Sequence, residues 1–229
     1  MTILALDTTN RRGSVALLRD GTLLEVRTVE APEGFAGKLY AEIRGLLERN
    51  SVALTDVDCF AAAAGPGSFT GIRIGLTAAK SLAEVNGKKA VGISNLRAMA
   101  ELGEGRFRAP VMDARRGEVF AAVFDEGGQA VVDEVVTPWP AFVDLVGGRD
   151  VTFISTETGL FGADGTAPLD SEGNGTGTAG HKTLDSPLAA GVARLAEQAM
   201  RSGEARDPEE LDANYVRRPD AELNWKPPE

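Results

Sequence analysis

The sequence of 229 residues holds very few of the side chains that most often carry metal or nucleophilic chemistry. It contains one cysteine, Cys59, and one histidine, His181. A single cysteine excludes an internal disulfide, and a single histidine excludes the HxxxH and HExxH motifs that bind zinc or iron on a helix. Cys59 lies in an apolar stretch and is expected to be buried, whereas a Ser-His-Asp triad would depend on His181 in a glycine-rich segment. These residues therefore form no constellation with a complete catalytic logic.

Long apolar runs are also missing. No uncharged stretch reaches the roughly 18 residues of a membrane-spanning helix. The N-terminal stretch MTILALD is too short for a signal peptide and ends in a carboxylate. Because a single cysteine suits a reducing compartment, we expect a cytoplasmic protein without a membrane segment.

Positive charge is scarce as well, since 24 lysines and arginines face 34 acidic residues and the net charge is −10. Nucleic-acid binders usually carry a basic face, because neutralising phosphates supplies much of their affinity. The arginine pairs at 11–12, 115–116 and 217–218 are short and do not form a dense cluster. We therefore do not expect this chain to hold RNA or DNA tightly by itself.

Apolar periodicity divides the first part of the chain into strands and helices. Short apolar runs predict strands, and apolar residues spaced by three and four predict helices. The pair Asp20-Gly21 predicts a hairpin turn, and Asn95 is a plausible N-cap of the third helix. The predicted order is strand 2–7, strand 13–21, strand 22–30, a helix near 39–47, strand 57–65, a helix near 72–83, strand 89–94 and helix 95–102.

A similar succession of strands and helices begins near residue 106. The two halves share the order of these elements but not their residues. The pattern predicts two strands within 108–128 joined by a turn at 114–117, then strand 129–137, helix 138–146, strand 150–155 and helix 187–203. The stretch 156–186 is rich in Gly, Thr and Asp and is predicted to be a long loop. We expect an α/β fold with mixed sheets flanked by helices, in two related lobes at 1–104 and 105–210, followed by an extended tail at 211–229.

Two turns raise the question of a phosphate site. Asp7, Thr8 and Thr9 end the first strand with a carboxylate and hydroxyls, and Gly65, Gly67 and Ser68 belong to a Gly-Pro-Gly-Ser turn before a helix. Hydroxyls and backbone N–H groups at a helix start can bind phosphate oxygens. The same residues also make tight turns without any ligand, and no Walker motif follows. The residues leave both interpretations open.

Small residues follow on the second helix at spacings of three and four: Gly71, Gly75, Ala78 and Ala79. They predict either close packing inside this chain or a helix with two buried faces, one for its own sheet and one for a partner. In the second half, Asp113 and Glu118 flank a turn and could bind a cation, but turn residues that face solvent are the simpler expectation.

Four stretches together resemble the TsaB (YeaZ) family: ILALDTT at the N-terminus, GPGSFTGIRIGLTAAKSLA from Gly65, DARRGEVFAAVF from Asp113 and ANYVRRPDAELNWK from Ala213. The match is collinear over nearly the whole chain and is weakest at 156–186. The resemblance implies a two-lobed actin/hexokinase-like fold of the RNase H-like, or ASKHA, type.

This resemblance also implies a function in tRNA modification. TsaB is the accessory subunit in forming N6-threonylcarbamoyladenosine at position 37 of ANN-decoding tRNAs, and its paralogue TsaD carries the metal ligands and transfers the threonylcarbamoyl group. The resemblance implies a heterodimer with TsaD, joined by the ATPase TsaE, with tRNA contacted only through the complex. It implies no catalytic residues or metal in this chain, and no peptidase activity despite older glycoprotease-like names.

The family's partner contact implies a docking role for two helices, at about 36–50 and 70–86. We expect a homodimer of the free chain through the same helices, and ATP or ADP only at the interface of the complex. Many members have a His-Ser/Thr pair at the start of the first helix, whereas this chain reads EGFAGKLY from Glu33, so Phe35 is expected to supply an apolar contact instead. The residues carried over are Phe35, Leu39, Ile43, Ile72, Arg73, Gly75, Leu76 and Ala79.

An alternative from another class is an autonomous ATP-dependent phosphotransferase of the actin/sugar-kinase type. The turn at Asp7 and the glycine-rich turn at Gly65 favour it. Against it, the chain is short for a sugar kinase and lacks a recognisable glycine motif for an adenosine pocket.

Overall fold

The structure is a computed structural model that describes residues 1–157, 160, 181–184 and 187–216. In this part of the chain, two five-stranded sheets combine with five α-helices. The strands are β1 (Thr2–Asp7), β2 (Arg12–Arg19), β3 (Thr22–Glu30), β4 (Cys59–Gly65), β5 (Lys89–Ser94), β6 (Phe107–Arg115), β7 (Glu118–Asp125), β8 (Ala130–Pro138), β9 (Val151–Ser155) and β10 (His181–Thr183). The helices are α1 (Leu39–Arg49), α2 (Phe69–Asn86), α3 (Asn95–Leu102), α4 (Trp139–Val146) and α5 (Leu188–Ser202).

The first sheet has the order β3-β2-β1-β4-β5. Strands β1, β2 and β3 are antiparallel neighbours, whereas β1, β4 and β5 run parallel. The hairpin turn between β2 and β3 is at Asp20 and Gly21 as predicted, and both residues have positive φ, 48° and 78°. This backbone matches the right-handed twist of the paired strands.

The second sheet repeats that topology in the order β10-β9-β6-β7-β8. Strands β6, β7 and β8 are antiparallel neighbours, and β9 and β10 extend the sheet in parallel from β6. The predicted loop at 156–186 is wrong at His181–Thr183, because this segment pairs with Phe153–Ser155 of β9. Most of the remaining predicted loop is outside the described residues. The repeated topology confirms the predicted two-lobed α/β fold.

Helices cover the sheets in alternating layers. Helices α1 and α2 pack with one face of the first sheet around a core that contains Phe60 and Leu46. Helices α3 and α5 lie between the two sheets, because one core cluster contains residues from both sheets and both helices. Helix α4 covers the outer face of the second sheet around Phe142. Helix α5 contacts β1, β2 and β4, so the chain returns to the first sheet after completing the second.

The helix termini follow from local sequence. The Ser68 hydroxyl accepts a hydrogen bond from the backbone N–H of Gly71 and caps α2. Gly87 ends the same helix with φ 61°, a left-handed conformation that glycine adopts without strain. The predicted cap of α3 is wrong by one residue: the Ser94 hydroxyl accepts from the Arg97 N–H, and Asn95 is the first residue of the helix.

The structure bears on two expectations from the sequence, the burial of the single cysteine and the lack of a membrane-spanning helix. Cys59 is completely buried in β4, and burial raises the pKa of its thiol to about 12. None of the described helices is long and apolar enough to cross a membrane.

Candidate functional site

Several polar groups of the turn after β1 form hydrogen bonds within the chain. Both the backbone N–H and the hydroxyl of Thr9 donate to Oδ1 of Asp7, at 2.9 and 2.7 Å. The hydroxyl of Thr8 donates to the carbonyl oxygen of Gly71 at 2.7 Å. Asp7, Thr8 and Thr9 are all buried, and burial raises the pKa of Asp7 although the hydrogen bonds from Thr9 oppose that shift.

The Gly-Pro-Gly-Ser turn packs directly on this strand end. The Ser68 N–H donates to the carbonyl oxygen of Thr9 at 2.8 Å. Gly65 has φ 112°, a backbone conformation that favours glycine. Gly67 is not among the glycines with positive φ, but a Cβ there would lie 2.9 Å from Cβ of Thr9. The turn after β1 and the Gly-Pro-Gly-Ser turn, the two candidates for a phosphate site, therefore contact each other.

Asn95 joins these turns from the start of α3. Its side-chain oxygen accepts from the N–H of Gly65 at 3.1 Å, and its Nδ2 donates to the Thr9 hydroxyl at 2.7 Å and the Pro66 carbonyl at 2.9 Å. The residue is fully buried. Three hydrogen bonds on one buried amide fix the relative position of the two turns, because each lost bond would leave a buried polar group unpaired.

The six residues predicted to contact phosphate are thus brought together. Asp7, Thr8 and Thr9 have partners within the chain, and the Ser68 hydroxyl stands at the start of α2 as its cap. Gly65 and Gly67 shape the turn between them. A phosphate role for these residues stays a prediction, while their structural role is visible in every contact.

A cleft of about 990 Å³ opens beside the two turns. The residues that line it come from both halves of the chain and include Thr9, Arg11, Phe69, Asp113, Arg115 and Glu157. Burial and the nearby charge of Asp113 raise the pKa of Glu157. Arg115 forms an ion pair with Asp113 at 2.9 Å, and Asp113 also accepts from the Arg115 N–H. In the described part of the chain, no three His, Cys, Asp or Glu side chains are grouped to hold a metal ion.

Small residues on α2 serve packing inside the chain. A Cβ on Gly71 would lie 2.0 Å from the carbonyl oxygen of Thr8, and one on Gly75 would lie 2.6 Å from the Thr8 hydroxyl. Ala78 and Ala79 are buried in the core of the first sheet. Of the two interpretations of these residues, contact within the chain is the one that the structure shows.

Seven of the eight predicted docking residues are buried in the free chain, and their role in docking stays a prediction. Only Arg73 is exposed. The apolar side chains among the others belong to the core between α1, α2 and the first sheet, so they hold the helices in place and do not form their outer face. The buried members are Phe35, Leu39, Ile43, Ile72, Gly75, Leu76 and Ala79.

The outer face of α1 and α2 carries different residues, which we call the docking face: Tyr40, Phe69, Thr70, Arg73 and Thr77. They line a shallow groove of about 440 Å³ together with parts of the buried layer. Tyr40 and Phe69 are 53% and 49% exposed, although large aromatic side chains are usually covered. The Arg73 guanidinium lies 3.8 Å from the centre of the Phe69 ring. Tyr, Phe and Arg are the residue types enriched at protein interfaces.

The sequence contains a signal for part of this face, an aromatic residue next to the apolar stripe. Tyr40 directly follows the stripe residue Leu39 and therefore lies beside the buried row of α1. Phe69 lies three residues before Ile72, in register with the stripe of α2, so its spacing gives no such signal. An aromatic residue off the core stripe of an amphipathic helix indicates a second apolar surface. No comparable signal marks Asn95, since its role depends on two turns that are distant in sequence.

Fold and site define a class: a two-lobed α/β protein with a closed turn at its strand ends and an exposed aromatic face on two helices. The family model of TsaD, described as tRNA N6-adenosine threonylcarbamoyltransferase, matches residues 30–148. The tRNA threonylcarbamoyladenosine biosynthesis protein TsaB of Bacillus subtilis is 30% identical over 98% of this chain and 98% of its own length. The chain therefore belongs to the TsaB (YeaZ) family.

Two further similarities agree with this assignment. TsaB of Escherichia coli is 37% identical over 56% of this chain and 58% of its own length. Among solved structures, YeaZ from Pseudomonas aeruginosa superimposes with a TM-score of 0.76 at 27% identity, over 93% of this chain and 100% of that one. The similarity in three dimensions thus extends across both sheets.

Proposed function

We propose that this chain is an accessory subunit in the biosynthesis of N6-threonylcarbamoyladenosine in tRNA, and that it docks on a TsaD-type transferase. The names of its relatives in Bacillus subtilis and Escherichia coli support the pathway. The docking face on α1 and α2 supports the mode of action, because it exposes two aromatic rings and an arginine on rigid helices.

The family match supports the kind of partner. The TsaD model covers residues 30–148, which include both α1 and α2. A TsaD-type transferase therefore has a region related to these two helices, and related faces can pair about an approximate two-fold axis. The same geometry would allow two copies of this chain to pair when the transferase is absent. We propose the heterodimer as the working state, with TsaE joining it in the cytoplasm.

The closed strand end supports a non-catalytic role in this complex. Oδ1 of Asp7 and the hydroxyls of Thr8 and Thr9 are engaged inside the chain, which leaves these groups less available to order a metal ion or phosphate. The net charge of −10 favours contact with tRNA through the partner and not through this chain. Any ATP or ADP would then sit at the interface of the complex.

Reconstitution tests the proposal. Purified transferase, TsaE and the adenylate-forming enzyme are incubated with an ANN-decoding tRNA, with and without this chain, and the modified nucleoside is measured by mass spectrometry. We expect modification only when the chain is present, and a loss of at least tenfold with Phe69→Ser. Val85→Ser is the matched control, because Val85 is a highly exposed apolar residue on the same helix that is absent from the groove lining.

Full modification without the chain would contradict the proposal, as would equal modification with wild type and Phe69→Ser. The phosphotransferase alternative gains some support from the cleft beside the two turns. It predicts that the free chain binds Mg-ATP tightly and that Asp7→Ala abolishes the binding, which titration calorimetry measures. Absence of binding heat for the free chain would rule against that alternative.

A further inference from the structure

The segment after α5 follows the edge of the first sheet and does not leave the molecule. Ala90 of β5 and Arg206 exchange two backbone hydrogen bonds of 3.1 and 3.3 Å. Further along, Lys80 of α2 donates to the carbonyl oxygen of Glu209 at 3.0 Å, and the Asn214 N–H donates to the carbonyl oxygen of Ala64 at 2.8 Å. The segment is therefore attached at successive points from β5 to the end of β4.

At Asn214 the segment also meets the second sheet. Its side-chain Nδ2 donates to Oε2 of Glu134 at 2.7 Å, and Glu134 belongs to β8. The other carboxylate oxygen of Glu134 accepts from the hydroxyl of Ser94, which itself caps α3. One carboxylate on the second sheet thus holds two groups that belong to the first sheet and its C-terminal segment.

The next residue reaches the docking face. The Tyr215 ring stacks on Phe69 with ring centres 5.7 Å apart and an angle of 30° between the ring planes. Nε of Arg73 donates to the Tyr215 hydroxyl at 3.4 Å. Tyr215 remains 41% exposed, so it extends the aromatic surface of Phe69 without covering it.

We propose that Glu134 and Asn214 form a clasp that positions Tyr215 on the docking face, so that the second sheet controls the shape of the surface that meets the transferase. The clasp is an intramolecular feature, and its effect on binding rests on the proposed function. Glu134 is a positioning residue that acts through Asn214. Its two oxygens accept from two donors, so alanine in its place removes both acceptors, whereas glutamine could keep both contacts by donating its NH2 to the Ser94 hydroxyl.

The first test uses the free, full-length chain and hydrogen–deuterium exchange at the Asn214 amide. We expect Glu134→Ala to raise the exchange rate there by about tenfold or more, because opening of the segment exposes the bond to Ala64. Asp133→Ala is the control, since Asp133 is an exposed carboxylate beside Glu134 on the same strand. Unchanged exchange in a folded Glu134→Ala variant would overturn the clasp.

The second test measures binding to purified transferase by titration calorimetry. We expect Glu134→Ala and Tyr215→Ala each to weaken binding by about tenfold, and the double variant to be no weaker than Tyr215→Ala alone. Additive losses, or wild-type affinity in Glu134→Ala, would overturn the link to docking. If wild type fails to bind the transferase, the proposed function fails, while the exchange experiment still decides on the clasp.

Discussion

The strand-end turns and the docking face lie on different sides of the same N-terminal half of α2, and their chemistry differs. At the strand end, polar side chains are buried and paired: Thr9, Asp7 and Asn95 exchange hydrogen bonds with one another and with the turn at Gly65. On the docking face, aromatic side chains are exposed, and Tyr40 stands beside the groove. The polar side chains of the first region bind one another, whereas the aromatic side chains of the second remain exposed and can contact a partner.

We therefore expect the strand-end region to contribute to the stability of the fold and the docking face to contribute to partner recognition. Buried, paired polar groups are expensive to disrupt, because every lost partner leaves a group without hydrogen bonds. Exposed aromatic residues contribute little to folding but much to association, because they bury apolar area only when a partner arrives. Substitutions in the strand-end region should therefore change unfolding, and substitutions on the docking face should change binding.

The largest effect is expected for Gly71→Ala. The added methyl group would collide with the backbone of Thr8 at 2.0 Å, and backbone cannot move aside cheaply. We expect a loss of about 3 kcal/mol in the free energy of unfolding, measured by urea denaturation. Gly45→Ala on α1 is the control: its nearest neighbour is the flexible end of Arg49, so we expect a gain of about 0.5 kcal/mol. Equal stability of the two variants would contradict the close contact at Thr8.

A smaller loss is expected for Asn95→Ala. It removes three hydrogen bonds and leaves the Gly65 N–H and the Pro66 carbonyl without their partner. We expect destabilisation of about 2 kcal/mol in the same denaturation experiment. Asn95→Asp keeps the acceptor but places a fully buried carboxylate against the Pro66 carbonyl oxygen, so it should be no more stable than Asn95→Ala at pH 7. A variant as stable as wild type would show that Asn95 does not join the turns.

Asp7→Asn should have the opposite sign and a magnitude of about 1 kcal/mol or less. Burial raises the pKa of Asp7 above its ordinary value of 3.8, so the folded protein holds this proton more tightly than the unfolded chain. The penalty of a buried charge is absent at acidic pH and grows as the pH rises through the folded pKa. The amide oxygen can still accept from Thr9. We expect the variant to have the higher thermal midpoint at pH 7, with the advantage shrinking towards pH 4.

A thermal midpoint below that of wild type at pH 7 would show that the hydrogen bonds from Thr9 depend on the negative charge. A constant difference across the pH range would show that Asp7 is not the group that titrates. Either result would contradict the expectation that a buried charge on Asp7 destabilises the folded chain.

The smallest effect on folding is expected on the docking face. Tyr40→Ser should change the free energy of unfolding by less than about 0.5 kcal/mol, because its ring is 53% exposed. It should nevertheless weaken binding to the transferase by about tenfold or more. Paired denaturation and calorimetry measurements check both expectations. A large loss of stability with unchanged binding would show that Tyr40 contributes to folding and not to docking.

Much of the architecture was predictable from local pattern. The apolar periods of β1 to β5 and of α1 and α2 placed these elements within a few residues, and Asp20-Gly21 and Ser68 fixed a hairpin and a helix start through their own backbone chemistry. The strand at His181–Thr183 was missed, because three residues are too few to show a period and the pairing with β9 is decided by the sheet.

The site was less predictable for a related reason. A helix pattern identifies which residues are apolar, but Leu39 and Tyr40 are both apolar enough to fit either face. Their neighbours in the fold decide: Leu39 packs into the core, and Tyr40 is left outside. In the same way, Gly75 suggested an approach by a partner helix, whereas the Thr8 side chain already occupies that space.

The amino-acid sequence by itself determined the order of strands and helices, the glycine-dependent turns and the absence of paired histidine ligands, because these depend on periodicity, backbone freedom and residue counts. Only the tertiary structure decided which groups remain available for function. Asn95 and Thr9 are 86 residues apart, and Glu134 and Asn214 are 80 residues apart. Thr9 and Asn95 meet because β1 and β5 end at the same edge of the first sheet, and Glu134 meets Asn214 because the second sheet packs beside that edge, so no local pattern could assign these hydrogen bonds.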